Sequence, residues 1–291
     1  MSFSLLQSDR IEIHPATHLA RIATIFAVFD RQQDSGNVSY GICLESGERY
    51  FIKTAGDVDT AEDSRPPLLS HAERVELLRN AARLADEMGR HPLLPRFHRV
   101  IESPVGPMLL YDWIDGELVG VSRQHRNDPA SAFQRFRHLP HANVVAAIEQ
   151  IFELHKRLAE MGWIASDFYD QCLMYDFDHD RLSIIDLDHY HKGDSLANTM
   201  GRMLGSSRFM APEELELGAT IDERTTVFTL GRTMAVFLSD GTLELESFRG
   251  TDRMFEVMVQ ACNPDKDCRY QTVGDLICAW REAATASPHL E

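Results

Sequence analysis

The 291-residue chain has no apolar run near the roughly 18 to 20 residues that a membrane-spanning helix needs. Its beginning lacks the basic-then-apolar pattern of a secretory leader. Cysteine is scarce: five residues, at 43, 172, 262, 268 and 278, with no CxxC pair. An odd number without paired spacing argues against a disulfide framework and against a structural zinc site. A reducing compartment fits that usage, so the expected location is cytoplasmic. Internal repeats and low-complexity tracts are absent. Basic residues are few, 29 Lys and Arg against 45 Asp and Glu, for a formal charge of −16. Such a surface discourages general binding to nucleic acid or an anionic membrane, while leaving room for a local basic patch.

What is there is the make-up of a soluble globular protein, 44% apolar and 25% charged. The length suits one large domain or two coupled lobes with a real core. The stretch from Leu154 to Asp188 organises the rest. An amphipathic helix leads into a polar turn with Asp167 and Asp170. Two short apolar runs follow, Leu173–Tyr175 and Leu182–Ile185, separated by the turn residues Asp176–Asp180 and ending at Asp186 and Asp188. The pattern predicts a hairpin, whose ends would bring these acids to one mouth. Converging carboxylates repel one another, and they usually coexist because a metal, a phosphate–metal complex or a proton lies between them.

Before this stretch, Ile22–Asp30, Val38–Leu44 and Tyr50–Lys53 read as three antiparallel strands. Asp57–Pro67 reads as an exposed acidic loop. Ser70 stands before an apolar stripe running to about Glu87, a helix with a capping serine. Arg96–Ile101 and Met108–Tyr111 read as two more strands, making a five-stranded sheet with one helix. At Asp112–Gly116 the character changes, and the remainder is mostly helical. Gln124–Asn143 is polar, irregular or carrying one short helix. Val144–Met161 is a helix with a broad apolar stripe. Further helices are expected at Thr226–Leu238, Arg253–Cys262 and Thr272–Ala284, with a frayed end beyond.

Lys53 ends a strand that reads as buried, where an ammonium needs a partner. The turn Ser35-Gly36-Asn37 lies upstream of it, a combination able to fold a turn over phosphates with an ammonium beside it.

The order and spacing of these pieces resemble the protein-kinase superfamily over nearly the whole chain, from about Ile22 to Arg281. Gly36-Asn37-Val38 looks like the end of the glycine-rich loop, and Lys53 stands at the spacing of the phosphate-pairing lysine. Met108–Gly116 resembles the last strand and hinge, with Tyr111 at the gatekeeper place. Asp167 lies where the catalytic-loop Asp stands, and Ile184–Asp188 resembles the metal-binding DFG with Asp186 as its Asp. Gly205-Ser-Ser-Arg-Phe-Met-Ala-Pro-Glu213 reproduces the end of the activation segment. Arg269 matches the arginine that pairs with that glutamate. The resemblance implies a bilobal α+β fold: a five-stranded antiparallel N-lobe with one main helix over residues 1–111, and a larger, mostly helical C-lobe over 112–291.

It also implies a site. Asp167 would orient the acceptor hydroxyl, Lys53 would hold phosphates, and Asp186 would bind Mg2+, or Mn2+, bridging the phosphates of ATP. Gly36, Val38 and Tyr111 would line the nucleotide site. Backbone groups of Asp112, Trp113 and Ile114 would read the adenine edge. The partner of Lys53 is assigned to Glu76, with Glu73 a further choice and Asp186 another holder.

Several residues depart from the pattern. Arg31 and Gln33 stand at two loop-glycine places, and Ala165 and Ser166 replace the His and Arg before the catalytic Asp. Tyr169 stands for the catalytic-loop lysine and Cys172 for the metal-binding Asn. Asp170, Gln171 or Asp188 would supply the missing oxygen, with Asp170 the first choice. Thr226 stands where a core Asp ties the catalytic loop to the helix behind it. The expected function is an ATP-dependent serine/threonine-type protein kinase acting on a protein substrate or regulatory partner. The alternatives are a pseudokinase with little activity and a small-molecule phosphotransferase.

Overall fold

The structure is a computed structural model, and it describes residues 8–30, 35–58 and 69–285. Arg31, Gln33, most of the acidic loop before Ser70 and the last six residues lie outside the described residues. The chain divides into two compact units, Met1–Asp115 and Gly116–Glu291. An antiparallel five-stranded unit followed by a mostly helical one is an α+β architecture with the topology of the protein-kinase fold.

The first unit begins with α1 (Pro15–Ile22), a helix the sequence reading missed. It then runs through β1 (Thr24–Phe29), β2 (Val38–Cys43) and β3 (Arg49–Thr54). Helix α2 (His71–Met88) and strands β4 (Phe97–Ser103) and β5 (Gly106–Asp112) complete it. The sheet order is β1-β2-β3-β5-β4. Ser70 caps α2 as expected: its hydroxyl accepts from the Glu73 N–H, and the Glu73 carboxylate accepts from the Ser70 N–H, a reciprocal capping box.

Register decides which residues share a face, since directly opposed residues point the same way. Ser39 opposes Lys53 and Lys53 opposes Leu109, whereas Val38 opposes Thr54 and Tyr40 opposes Ile52. One face therefore buries Tyr40, Ile42, Tyr50, Ile52, Met108 and Leu110 beneath Leu19 of α1. The other carries Lys53, Phe51, Leu109 and Tyr111, with α2 packed on part of it through Leu78, Ala81 and Ala82. Val38 was expected to share the nucleotide site with Lys53. It packs instead on the α1 side, and Ser39 and Gly41 share the face of Lys53.

The second unit opens with a short strand β6 (Glu117–Leu118), then α3 (Ala132–Arg137) and α4 (His141–Glu160). Short strands β7 (Trp163–Ile164), β8 (Leu173–Asp176) and β9 (Arg181–Ile184) follow, then β10 (His191–Lys192), β11 (Ser195–Ala197) and β12 (Thr220–Asp222). Helices α5 (Glu223–Leu238), α6 (Asp252–Ala261) and α7 (Val273–Thr285) close it. The predicted hairpin is β8–β9, antiparallel with Leu173 opposite Ile184 and Asp176 opposite Arg181. Helix α5 is buried nearly all round. Gly231 is what lets α6 approach, since a Cβ there would stand 2.8 Å from Ala261 and from Cys262. Among the described residues no helix is long and apolar enough to cross a membrane.

Candidate functional site

The acids of the second unit are set by the hairpin and the turn before it. A single 3-10 turn, Asp170–Cys172, joins the Asp167 loop to β8, and the Ile185 N–H donates to the Cys172 carbonyl at 2.8 Å. The strand end carrying Asp186 is thereby tied back to the loop carrying Asp167. Both Asp167 and Asp186 adopt left-handed backbone, φ 59° and 63°. This is an uncommon conformation for a residue with a Cβ, and it collects at functional sites.

Cys172 and Tyr169 both lie in the field of these carboxylates. Burial, then the charges of Asp186 and Asp167 and more weakly Asp170, pushes the Cys172 thiol well above its ordinary value. Burial and the same acids, led by Asp167, raise the Tyr169 phenol. Both groups are therefore neutral at physiological pH, so Cys172 presents no thiolate. Its Sγ lies 3.4 Å from the Asp167 carbonyl.

The remaining acids have other company. Asp186 is exposed and Asp188 buried. Asp170, the first choice to replace the missing oxygen, is buried, and its carboxylate is held by the Arg208 guanidinium. A divalent cation on Asp170 would have to share that carboxylate with a fixed like charge. Among the described residues no group of three or more His, Cys, Asp and Glu side chains is placed to hold a metal ion. Asp186 nonetheless offers an exposed carboxylate, and magnesium is commonly bound through one or two protein carboxylates plus phosphate oxygens.

The segment Gly205–Glu213 lies on this loop. A Cβ on Gly205 (φ 118°) would come within 3.1 Å of Asp167 Oδ1, and the Phe209 and Tyr169 rings are 6.5 Å apart. His189 Nε2 is 3.7 Å from Asp167 Oδ2. Behind the loop, the Thr226 hydroxyl accepts the Ala165 N–H at 3.0 Å. A hydroxyl thus makes the tie that the sequence reading assigned to an absent Asp. The segment's far end is fixed by Glu213, paired with Arg269 through 2.7 and 3.0 Å hydrogen bonds.

In the first unit, Lys53 is buried on β3. Glu76 lies on the exposed face of α2, about 200° round the helix from Arg74. Glu73 is taken by the capping box. The residue that does tie α2 to the end of β3 is Arg74, which sequence reasoning missed. It is buried and donates to the carbonyls of Ala55, Asp57 and Leu69. Its signal was an arginine on the same helical stripe as Leu78, Ala81 and Ala82. Gly36 (φ 89°) turns the chain into β2, and its carbonyl would be 2.8 Å from a Cβ on Gly56.

Tyr111 shares the face of Lys53 and contacts Phe97, with ring centroids 5.2 Å apart. The N–H groups of Asp112 and Trp113 donate to the carbonyls of Arg96 and Arg49. Two of the three expected adenine-reading N–H groups are therefore already engaged. Ile114 is half-buried beyond them. The Trp113 ring lies against Gly41 and Phe26, and its Nε1 donates to Asp115, itself held by Arg49.

A cleft of about 630 Å³ elsewhere in the second unit is lined by Gln134, Arg135, His138, Leu139 and Phe177. None of the acids discussed above lines it, so the geometry of the loop and hairpin is the guide to chemistry. No family model matches the chain, and no curated protein matches it.

Proposed function

We propose that the protein is an ATP- and magnesium-dependent phosphotransferase of the protein-kinase type, moving a phosphoryl group to a protein hydroxyl. The observation that carries the reading is the pair Asp167 and Asp186, two aspartates in left-handed backbone on loops tied together by the Ile185–Cys172 hydrogen bond. Bound Mg·ATP would supply the transferable phosphoryl group. Asp186 contributes a carboxylate oxygen toward the metal, and Lys53 contributes donors for phosphate oxygens. Asp167 accepts the hydroxyl hydrogen on a carboxylate oxygen and orients the acceptor. Tyr111 and the Asp112–Ile114 stretch border the base. The Gly205–Glu213 segment, seated on Asp167, supports a peptide-sized acceptor over a small molecule.

A second reading, a module of the same fold with little transfer activity, draws on three features. Asp170 is committed to Arg208, Cys172 is a buried neutral thiol, and Trp113 covers Gly41 on the sheet face that also bears Lys53. Thermal-shift titration with ATP plus Mg2+ or Mn2+ tests both readings. Phosphate transfer to the chain itself or to a generic protein substrate, lost in Asp186→Ala and Asp167→Asn, favours the first. Stabilisation by nucleotide without transfer favours the second, and no stabilisation overturns nucleotide use in either.

A further inference from the structure

Arginines of the described residues mostly find carboxylates, as an acidic chain makes easy: Arg49 pairs with Asp115, Arg79 with Glu102, Arg135 with Glu117 and Arg281 with Glu149. Arg126 does not. Among the described residues its guanidinium makes no hydrogen bond, and its Nε is buried without a partner. Its close charged neighbours are Arg208, Asp170 and Arg123, and burial followed by Arg208 depresses its pKa. Arg208 meets Asp170 through one Nη, while its own Nε is also buried without a partner. One carboxylate, that of Asp170, thus meets the Arg208 guanidinium, while the charge of Arg208 also bears on the unpartnered Arg126, in a chain whose net charge is strongly negative.

The arrangement is held in place. The Gln134 side-chain amide donates to the Arg126 carbonyl at 2.7 Å, and the Gly120 N–H donates to the Asp170 carbonyl at 2.9 Å. Gly120 sits so close that a Cβ there would collide with Gln171. The loop bearing Arg126 is therefore seated on the turn bearing Asp170. Arg208 lies 5.5 Å from the Phe133 ring centroid and 5.2 Å from that of Phe209, and Arg232 donates to its carbonyl at 2.7 Å. A guanidinium cannot shed its proton to relieve crowding, and its planar fork matches an oxyanion with two parallel hydrogen bonds.

We propose that Arg126 and Arg208, with Arg123 at the rim, form a binding site for a phosphoryl group next to the Asp167–Asp170 loop. The excess positive charge suits a dianion, and the buried Nε groups supply donors that now lack acceptors. The phosphoryl group can be carried by a separate ligand, such as an acceptor that already bears phosphate. It can also sit on the chain's own Ser206 or Ser207, which immediately precede Arg208. Binding requires no transfer reaction, so the site stands or falls separately from the proposed activity.

The test uses the full chain, treated with phosphatase, and inorganic phosphate as probe. Melting is followed against chloride at matched ionic strength for wild type, Arg126→Gln and Arg126→Lys. Phosphate is expected to raise the wild-type Tm above the chloride value, with at least half of that rise lost in Arg126→Gln and part retained in Arg126→Lys. In chloride, Arg126→Gln is expected to melt at or above wild type, because it removes like-charge crowding. Three results overturn the proposal: no phosphate-specific rise in wild type, an equal rise in Arg126→Gln, or a loss of several degrees for Arg126→Gln in chloride. Intact mass before phosphatase treatment separates the sources. Phosphoserine at 206 or 207, with phosphate response appearing only after its removal, assigns the site to the chain's own modification. An unmodified chain that responds to phosphate assigns it to a separate ligand.

Discussion

The Glu213 carboxylate and the Arg269 guanidinium form a two-pronged pair at 2.7 and 3.0 Å, and the Arg269 side chain is wholly buried. Arg269 also donates to the carbonyls of Asn263, Pro264 and Arg224, so the pair clamps the end of the 205–213 segment to the start of α5 and the loop after α6. Removing one partner strands the other in the interior. Arg269→Met is expected to cost about 3 to 5 kcal/mol in denaturant unfolding. Burial alone would raise the Glu213 pKa, but the hydrogen bonds and charge of Arg269 outweigh it and hold the group below its ordinary 4.5. A depressed folded value means the contribution is present above about pH 4.5 and lost as pH falls below it. The acid limb of the stability curve should therefore flatten in Glu213→Gln.

The neighbouring Glu214 behaves oppositely. It is buried, accepts the Ala211 N–H at 2.7 Å, and is pushed up to about 7, chiefly by burial, with the charge of Glu213 adding. A folded value above the unfolded 4.5 favours the native state at low pH and weakens it as pH rises from about 4.5 to 7. The protein with Glu214→Gln, which keeps the acceptor and cannot ionise, should gain roughly 3 kcal/mol over wild type at pH 8. Near pH 4 the two should be equal. Urea unfolding at both pH values checks this; an equal difference at the two would refute a titration origin.

These two glutamates also mark how far the sequence could be read. Glu213 and Arg269 were legible because a buried charge at a fixed place in a recognisable order needs one particular partner. Ser70 was legible because capping is local, and the β8–β9 hairpin because alternation and turn residues are local too. The face of Val38 was not: strand side chains alternate with period two, so a one-residue uncertainty in pairing reverses the answer. Helix α1 was missed because eight residues give barely two turns of periodicity. Arg74 and the Asp170–Arg208 pair were missed because their partners, backbone carbonyls and a residue 38 positions away, leave no local pattern.

Trp113 and Gly41 give a packing prediction. A Cβ on Gly41 would stand 2.7 Å from the Trp113 ring and 2.8 Å from that of Phe26. Gly41→Val is therefore expected to displace the indole toward water, red-shifting its emission, and to cost about 1 to 3 kcal/mol from overpacking. Trp163 and Trp280 are buried elsewhere, so the emission red-shift should be absent when the same substitution is made with Trp113→Phe. A persistent red-shift in that double variant would trace it to another tryptophan.

Cysteine reactivity tests the environment of the acids without any nucleotide. Cys268 and Cys278 are exposed, while Cys172 and Cys262 are buried with thiols raised by burial, Cys262 to about 12. Iodoacetamide at pH 8 should modify Cys268 and Cys278 within minutes and leave Cys172 and Cys262 untouched until unfolding. Mass spectrometry of digests reads the order. Rapid labelling of Cys172 in the native protein would mean that the acids around it are not excluding a thiolate.

The left-handed backbone of Asp186 permits a sharper separation of fold from chemistry. A residue with a Cβ pays about 1 kcal/mol or more for that conformation, less for Asp than for most. Glycine pays nothing there, though its freer unfolded chain returns roughly 0.4 to 1 kcal/mol of the gain. Because Asp186 is exposed, its carboxylate contributes little buried packing. The two backbone effects nearly cancel, so Asp186→Gly should unfold within about 1 kcal/mol of wild type. If the carboxylate serves phosphoryl transfer, the same variant loses transfer entirely while keeping its Tm. A drop beyond about 2 kcal/mol would instead assign Asp186 a structural role, since relief of strain could not then be hiding a merely chemical loss. Asp180, also at positive φ (54°) but hydrogen-bonded to the Tyr175 hydroxyl, provides the contrast. Asp180→Gly should destabilise despite the same backbone relief, because it removes the acceptor of a buried tyrosine's hydroxyl.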